Sequence, residues 1–522
     1  MNKVALGVVL AGVLALGLAF RLADLRARPM HHDEANQAVR FGILLETGEY
    51  RYDRQDHHGP TLYYLTLPFA WLQGQRTLAS LDERTVRMVP AVFGGGLLLL
   101  FFLLAGPTDA SSARGVGRVA AAAAATLAAI SPVLTYYSRF YIQETLLVFF
   151  VIAFAIAVGR DRDRPRLGSA LGAGVFAGLA YATKETSLIL LPAVVAACAI
   201  ASRLARNDRG GSGHPANAGW QSRVQHLLAA VSAALLVALV FYTGFFTNPA
   251  GLFDSLGAVS IYLSRGVEPG PHVAPWFTYL QTLAWSAAGG LVWTEALVLI
   301  LAAVGIVHAV AARRFWPLYI GLYAIGAGAI FSTVPYKTPW NVAPFYAGLV
   351  LMAGIGVQQL FEWARPRAAR VLVALVLVAA AWQLGAQNVR ASVQYAADAR
   401  NPYAYAHTSA DYLRLAARVH DLAAQHPDRS RMLVKVVASP YDQWPFPWYA
   451  RDLTRVGYWN RAADAGAFTG VPVILASAEN AADVDTAVGD GYVSEFYGLR
   501  PGVLLTLYVE RNLWNQFMES RR

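Results

Sequence analysis

The sequence predicts an all-α polytopic membrane domain of about eleven transmembrane helices, followed by a small extracytoplasmic α/β domain. Three observations carry this. Hydrophobic residues make up 56% of the 522-residue chain and charged residues 15%, against about 45–50% and about 25% in soluble proteins. The apolar residues fall into blocks approaching the ~20 residues that a membrane-spanning helix needs. After about Asn388 the composition changes: Asp, Asn, Gln and His return and no spanning run remains. Disorder is excluded by the same numbers.

The expected spans, in order, are Val4–Phe20, Val89–Leu104, Val119–Leu134, Leu146–Val158, Leu167–Ala182, Ser187–Ala201, Leu227–Phe246, Thr294–Val310, Phe315–Ser332, Val342–Leu360 and Val371–Leu384. The first follows Lys3 and resembles a signal peptide, but no small-x-small cleavage site follows, so it reads as an uncleaved span. His272–Trp293 is semi-apolar and proline-flanked, and reads as an interfacial helix. Residues 1–388 therefore form the membrane domain, with a long first outer loop over 21–88, and 389–522 the tail domain. In the tail, helical periodicity covers Ser409–Gln425, and β-rich runs occur at Met432–Ala438, Pro472–Ala476, Val493–Tyr497 and Val503–Val509.

A formal net charge of +10 could suit a nucleic-acid binder, but the Arg clusters sit in short gaps between apolar blocks. Arg160, Arg162, Arg164 and Arg166 share a side with Arg203, Arg313, Arg314, Arg365, Arg367 and Arg370, whereas the short loops opposite carry only Arg139, Lys184, Arg265 and Lys337. The positive-inside rule then places the N-terminus in the cytoplasm, the tail outside, and the chain in a plasma (inner) membrane. No nucleic-acid partner is implied. The single cysteine, Cys198, excludes a disulfide framework or a thiolate metal site.

Ionisable residues at span ends are costly and count as functional candidates. They gather on the outer side: Met30-His31-His32-Asp33-Glu34-Ala35, Asp56-His57-His58-Gly59-Pro60-Thr61-Leu62-Tyr63-Tyr64, Arg139 with Glu144, Thr183-Lys184-Glu185, His272, and Tyr336-Lys337-Thr338-Pro339-Trp340-Asn341. Each also has a plain structural reading. Asp33 and Glu34 could cap a helix, Arg139 and Glu144 could pair, Lys184 could snorkel, and Lys337 sits in an aromatic-belt setting. His31, His32, Asp56 and His57 supply nitrogen and oxygen ligands that suit a divalent metal. Their spacing matches no compact metal motif, so a divalent metal stays open as the one cofactor these residues would suit. The tail string Tyr441-Asp442-Gln443-Trp444-Pro445-Phe446-Pro447-Trp448-Tyr449 has flat aromatic faces suited to a sugar or a lipid headgroup, or to packing against the membrane part.

The Asp-Glu pair after the first span, the His-x-Pro-type segment, the Arg before the fourth span and the Thr-Lys entering the sixth resemble the GT-C integral-membrane glycosyltransferases. Within them the chain looks closest to the protein O-mannosyltransferase and lipid A aminoarabinose transferase group. The strings His-His-Asp-Glu-Ala, Asp-His-His-Gly-Pro, Tyr-Lys-Thr-Pro-Trp-Asn and Trp-Pro-Phe-Pro-Trp-Tyr are similar to a prokaryotic flippase-activity-associated subgroup.

The resemblance implies transfer of one hexosyl or pentosyl unit, with inversion, from a polyprenyl-phosphate donor among membrane lipids to a glycan, lipid or protein acceptor on the outer face. Such a reaction needs a carboxylate to take the acceptor's proton, for which Asp33 is the first choice, with Glu34 beside it. It also needs cations and donors at the departing phosphate, for which Arg139, Lys184, Lys337 and His272 are the candidates. His58, Tyr63, Glu144 and Trp340 are expected to contact substrate. The competing reading is a transporter or flippase component for lipid-linked glycans. It expects a midplane site and often repeated halves, and no duplication is visible. A silent scaffold would leave Asp33, Glu34 and Lys337 unexplained.

Overall fold

A computed structural model describes residues 3–55, 58–106, 115–205, 220–266, 268–270 and 272–521. The chain divides into two compact units, one comprising Met1–Leu25, Glu49–Thr66 and Arg87–Gln394, the other Arg26–Gly48, Leu67–Val86 and Tyr395–Arg522.

The first unit is a bundle of apolar helices. Among the described residues, seven helices are long and apolar enough to cross a membrane: Val4–Leu22, Glu83–Leu103, Ser187–Leu204, Gln221–Tyr242, Phe315–Thr333, Pro339–Trp363 and Arg367–Gln394. Arg118–Ile130 and Pro132–Ser138 make one further crossing if taken together, bent by 60°, and Leu167–Tyr181 and Ala296–Ala312 are shorter apolar helices. Each segment expected as a span is helical over most of its length, Leu146–Val158 lying inside the helix Glu144–Asp163 and Leu227–Phe246 leaving its helix at Tyr242. The chain is a multi-pass membrane protein.

Two expectations need correction here. Val119–Leu134 is not one straight helix: it breaks at Ser131, because Pro132 lacks an N–H and disfavours a helical residue before it. Within His272–Trp293, only Thr278–Ala284 is helical. Ser286–Trp293 is a hairpin of β1 (Ser286–Ala288) and β2 (Leu291–Trp293). Gly289 and Gly290 form its two-residue turn, with φ of 51° and 78°, values that glycine adopts without strain.

Close helix packing depends on glycine. A Cβ on Gly305 would lie 2.1 Å from the Met352 carbonyl, and one on Gly356 would lie 2.0 Å from that of Leu301. The helices Ala296–Ala312 and Ala343–Trp363 therefore touch backbone to backbone, the arrangement that small residues permit in a membrane.

The second unit is built on a five-stranded sheet of β3 (Val434–Val437), β4 (Val456–Trp459), β5 (Val473–Ser477), β6 (Tyr492–Arg500) and β7 (Val503–Glu510), ordered β4-β3-β5-β7-β6. β3 runs parallel to β4 and β5, while β7 is antiparallel to both neighbours. One face packs Val434, Val436, Leu475 and Leu507 against Leu415, Val419 and Leu422 of the helix Asp411–Gln425. The other packs Val437, Ile474 and Tyr508 against Val484 of the helix Ala478–Val488. Burial on both faces explains the apolar run Val473–Ala476 in β5 and why Val434, Val436 and Val437 of β3 are all apolar.

Candidate functional site

In the second unit, the helix His32–Thr47 begins at the Asp-Glu pair. His31 is its N-cap, and a capping box is completed by Glu34, so two orphan N–H groups are satisfied reciprocally. The Asp33 N–H donates to His31 Nδ1 at 3.0 Å, and the His31 N–H donates to Glu34 Oε2 at 3.2 Å. The other Glu34 oxygen accepts from Arg28 at 2.9 Å, and the Glu34 side chain is fully buried. His31 Nε2 donates to the Tyr405 carbonyl at 3.2 Å, so the neutral tautomer has its proton on Nε2. Burial pushes this imidazole below its ordinary pKa, in keeping with an Nδ1 that must stay an acceptor.

The two carboxylates thus differ. Glu34 is committed to the cap and to Arg28. The Asp33 side chain is 40% exposed, and it lies 3.8 Å from Nδ1 of the neutral His31 ring. Among the described residues its oxygens accept no hydrogen bond.

The neighbouring contacts hold the strip before Asp33. The Met30 N–H donates to the Tyr449 hydroxyl at 2.9 Å, and His32 Nδ1 donates to the Tyr441 carbonyl at 3.2 Å. Of the aromatic tail string, Phe446 and Trp448 are buried in this unit. Trp448 Nε1 donates to Glu83 Oε1 at 2.8 Å.

The first unit holds the other candidates. Gly59 lies so close to the turn after Tyr181 that a Cβ would meet the Ala182 carbonyl at 2.2 Å, and the Thr61 N–H donates to that same carbonyl at 3.1 Å. Only glycine allows this approach, and it delivers His58 to Glu185. His58 Nδ1 is 2.7 Å from Glu185 Oε2 and 2.9 Å from the Tyr262 hydroxyl. The Tyr52 hydroxyl donates to Glu185 Oε1 at 2.9 Å. Burial disfavours the Glu185 charge, yet the His58 charge and hydrogen bond, with the Tyr52 donation, bring its pKa below the ordinary carboxylate value. An ionised Glu185 orients the His58 ring through Nδ1, and among the described residues Nε2 has no partner.

Glu144 is not paired with Arg139. It forms a buried ion pair with Lys184, while Arg139 donates to the carbonyls of Phe20 at 2.8 Å, Arg21 at 3.4 Å and Asp24 at 3.4 Å. Arg21 in turn donates to Ala128 at 2.9 Å and Ala129 at 3.3 Å. Each arginine closes the carbonyl end of a helix, where a cation is favoured. Lys337 Nζ donates to the carbonyls of Ser332, at 2.9 Å, and Val334, and lies 5.6 Å from the Tyr279 ring centre. Among the described residues no carboxylate neutralises it. Its N–H donates to the His272 carbonyl at 2.8 Å, and the His272 ring lies 4.8 Å from that of Tyr336. Trp340 packs 6.0 Å from Phe140, and Tyr63 is buried 5.2 Å from Tyr50.

So the structure brings together Lys184 with Glu144, and Lys337 with His272, in one unit, and His31, His32, Asp33 and Glu34 in the other. Asp56 and His57 lie outside the described residues. Among the described residues no group of three His, Cys, Asp or Glu is arranged to hold a metal. Sequence reasoning named Glu185 only beside Lys184, with no role of its own, and missed the buried acid Glu295. Glu295 opens the Ala296–Ala312 helix, where the rarity of intramembrane carboxylates was the available signal.

A family model described as dolichyl-phosphate-mannose-protein mannosyltransferase matches residues 67–209. Among solved structures, the chain is similar to apo ArnT from Cupriavidus metallidurans, with a TM-score of 0.61, 18% identity, and 97% of this chain and 98% of that one covered. The same protein bound to undecaprenyl phosphate matches with a TM-score of 0.59 and 17% identity over 98% and 99% of the two chains. The Archaeoglobus fulgidus oligosaccharyltransferase tethered to an acceptor peptide matches with a TM-score of 0.54 and 14% identity over 100% of this chain and 78% of that one. No curated protein sequence matches. The chain therefore has the GT-C fold of integral-membrane glycosyltransferases, as its motifs suggested.

Proposed function

We propose that this protein is a glycosyltransferase that moves one sugar from a polyprenyl-phosphate donor to an acceptor on the extracytoplasmic face, inverting the anomeric centre. One observation carries the reading: among the described residues nothing occupies the Asp33 carboxylate oxygens, while the cap and the bonds of the three preceding residues fix its backbone. A general base needs both properties, since its oxygens must be open to the acceptor while its position is fixed. Asp33 takes the acceptor hydroxyl's proton as the oxygen attacks the anomeric carbon. The bond from that carbon to the phosphate oxygen breaks, and polyprenyl phosphate leaves with the electron pair.

In this reading Lys337 is the principal cation for the phosphate, because its ammonium has carbonyl partners only. Arg139, His272 and His58 supply further donors, and Lys184 shares its charge with Glu144. The fold of full-length ArnT, a protein solved with undecaprenyl phosphate, supports a lipid-phosphate donor. Cytoplasmic arginines and an outer tail follow from the charge asymmetry. The acceptor is a glycan, lipid or protein.

One observation favours the flippase alternative: the helix broken at Ser131, since transporters use discontinuous helices to bind substrate. Here, however, Glu295 accepts from the Val133 N–H at 3.1 Å and from Ser131 Oγ at 3.0 Å. The groups freed by the break are taken by protein. The test is consumption of radiolabelled polyprenyl-phosphate mannose by the purified full chain. Asp33→Asn should abolish it, and equal consumption by wild type and variant would sink the proposal.

A further inference from the structure

The turn that carries Asp33 is held more tightly than a helix start requires. A capping box alone satisfies the first N–H groups, yet three consecutive residues before Asp33 each bond to a different tail residue. Met30 bonds to Tyr449, His31 to the Tyr405 carbonyl and His32 to the Tyr441 carbonyl. His32 also stacks on Tyr441, with ring centres 4.5 Å apart and planes 30° apart. The Arg500 guanidinium lies 4.1 Å from the same Tyr441 ring centre. The Tyr441 ring is thus in contact with both His32 and Arg500. Arg500 is the last residue of β6 and is ion-paired with Asp442. Asp442 is fastened in turn by Ser439 Oγ at 3.0 Å. A continuous chain of contacts thus runs from the sheet through Arg500, Tyr441 and His32 to Asp33.

This chain contributes little to the unit's core. Tyr441 is 44% exposed, whereas the residues that hold the sheet together, such as Val434, Leu475 and Leu507, are 0 to 1% exposed. An exposed stack that fastens the residue next to a free carboxylate suits the placing of that carboxylate. We propose that Tyr441 and Arg500 are positioning residues for Asp33, acting through His32, and that the tail sheet thereby takes part in the transfer reaction. The inference rests on the reading of Asp33 as the general base.

The experiment uses the full chain and compares Tyr441→Leu, Arg500→Gln, Tyr441→Phe and Asp33→Asn. Tyr441→Leu and Arg500→Gln should lower kcat with polyprenyl-phosphate mannose by about tenfold to a hundredfold, the scale of loss for a group misplaced by about 1 Å. Affinity for undecaprenyl phosphate should stay at the wild-type value. Deuterium uptake at the Met30–Glu34 amides should rise in both. Tyr441→Phe keeps the ring and the backbone carbonyl that His32 uses, so it should keep wild-type kcat. If Asp33→Asn is inactive while Tyr441→Leu and Arg500→Gln turn over at the wild-type rate, the base reading stands and the positioning inference falls. If Asp33→Asn is fully active, the base reading falls and takes this inference with it. A loss of phosphate affinity equal to the loss of kcat would show a merely structural role and overturn it as well.

Discussion

Glu295 allows a magnitude to be worked from individual bonds. Its side chain is fully buried. It accepts from Ser131 Oγ at 3.0 Å, the Val133 N–H at 3.1 Å and the Tyr346 hydroxyl at 2.6 Å. Replacing it with alanine strands three buried donors, at about 1–3 kcal/mol each. Ser131 and Tyr346 lie 3.5 Å apart and can partly satisfy one another, which offsets about one of these losses. The one buried methylene removed, Cγ, adds roughly 0.8 kcal/mol. The expected cost of Glu295→Ala is therefore about 3–7 kcal/mol, or roughly 6–14 °C in apparent melting temperature at about 2 °C per kcal/mol.

Glu295→Gln should behave differently. Its remaining oxygen still accepts from Ser131 and Val133, and the amide donates to a Tyr346 hydroxyl that turns to accept. Only charge assistance is lost, at about 1 kcal/mol. Heating the purified full chain and following the monodisperse fraction separates the two. If alanine and glutamine melt within about 2 °C of each other, Glu295 does not hold the broken helix through these bonds. The same variant tests a link to function, since the short helix Pro132–Ser138 leads directly into Arg139. Glu295→Ala should therefore lose turnover at temperatures where the protein remains monodisperse.

Other outcomes follow from the same geometry. Gly356→Val should prevent recovery of a monodisperse protein, since its Cβ would lie 2.0 Å from the Leu301 carbonyl, whereas Gly326→Val, with nothing within 4 Å, should purify normally. Glu185→Leu removes the partner of His58 and Tyr52 and should raise the KM for polyprenyl-phosphate mannose roughly tenfold; an unchanged KM in initial-rate kinetics would exclude His58 from the donor site. In the second unit, the Asp452 hydrogen bond, against burial, raises the His420 pKa, and the His420 hydrogen bond lowers that of Asp452. The raised histidine stabilises below its unfolded pKa of about 6.5, and the lowered aspartate stabilises above its own of about 3.9, so the pair is strongest between these values. Its contribution falls as pH rises through the shifted histidine pKa and as pH drops through the shifted aspartate pKa. The pair is partly exposed, so the effect is below about 1 kcal/mol. Comparing the chemical denaturation of wild type and His420→Asn at pH 5.5 and pH 8.5 should show a difference only at the lower value.

The helices of the first unit were legible because a bilayer demands one property, unbroken apolar length, and the sequence states that property locally. What was not legible depends on partners far away in the chain. Arg139 and Glu144 are five residues apart and of opposite charge, which suggests a pair. Folding instead gives Glu144 to Lys184 and sends Arg139 to the carbonyls of the first helix, because a helix end offers several unsatisfied acceptors at once. The break at Pro132 had a local signal, but what makes a broken helix tolerable in an apolar unit is a carboxylate more than 160 residues later. The acidic pair Asp33-Glu34 shows the same limit at the candidate site. Both residues could be named from sequence as cap or catalyst, and the two readings looked exclusive. The structure gives the cap to Glu34, which Arg28 and the His31 N–H take up, and among the described residues nothing occupies the Asp33 oxygens. The capping role of Glu34 and the proposed role of Asp33 as base are therefore compatible readings of this motif. The one holds the turn on which the other is presented, and Glu34→Gln, which weakens the Arg28 bond, should lower turnover less than Asp33→Asn in the donor-consumption assay. Equal losses would mean that both carboxylates act in the chemistry.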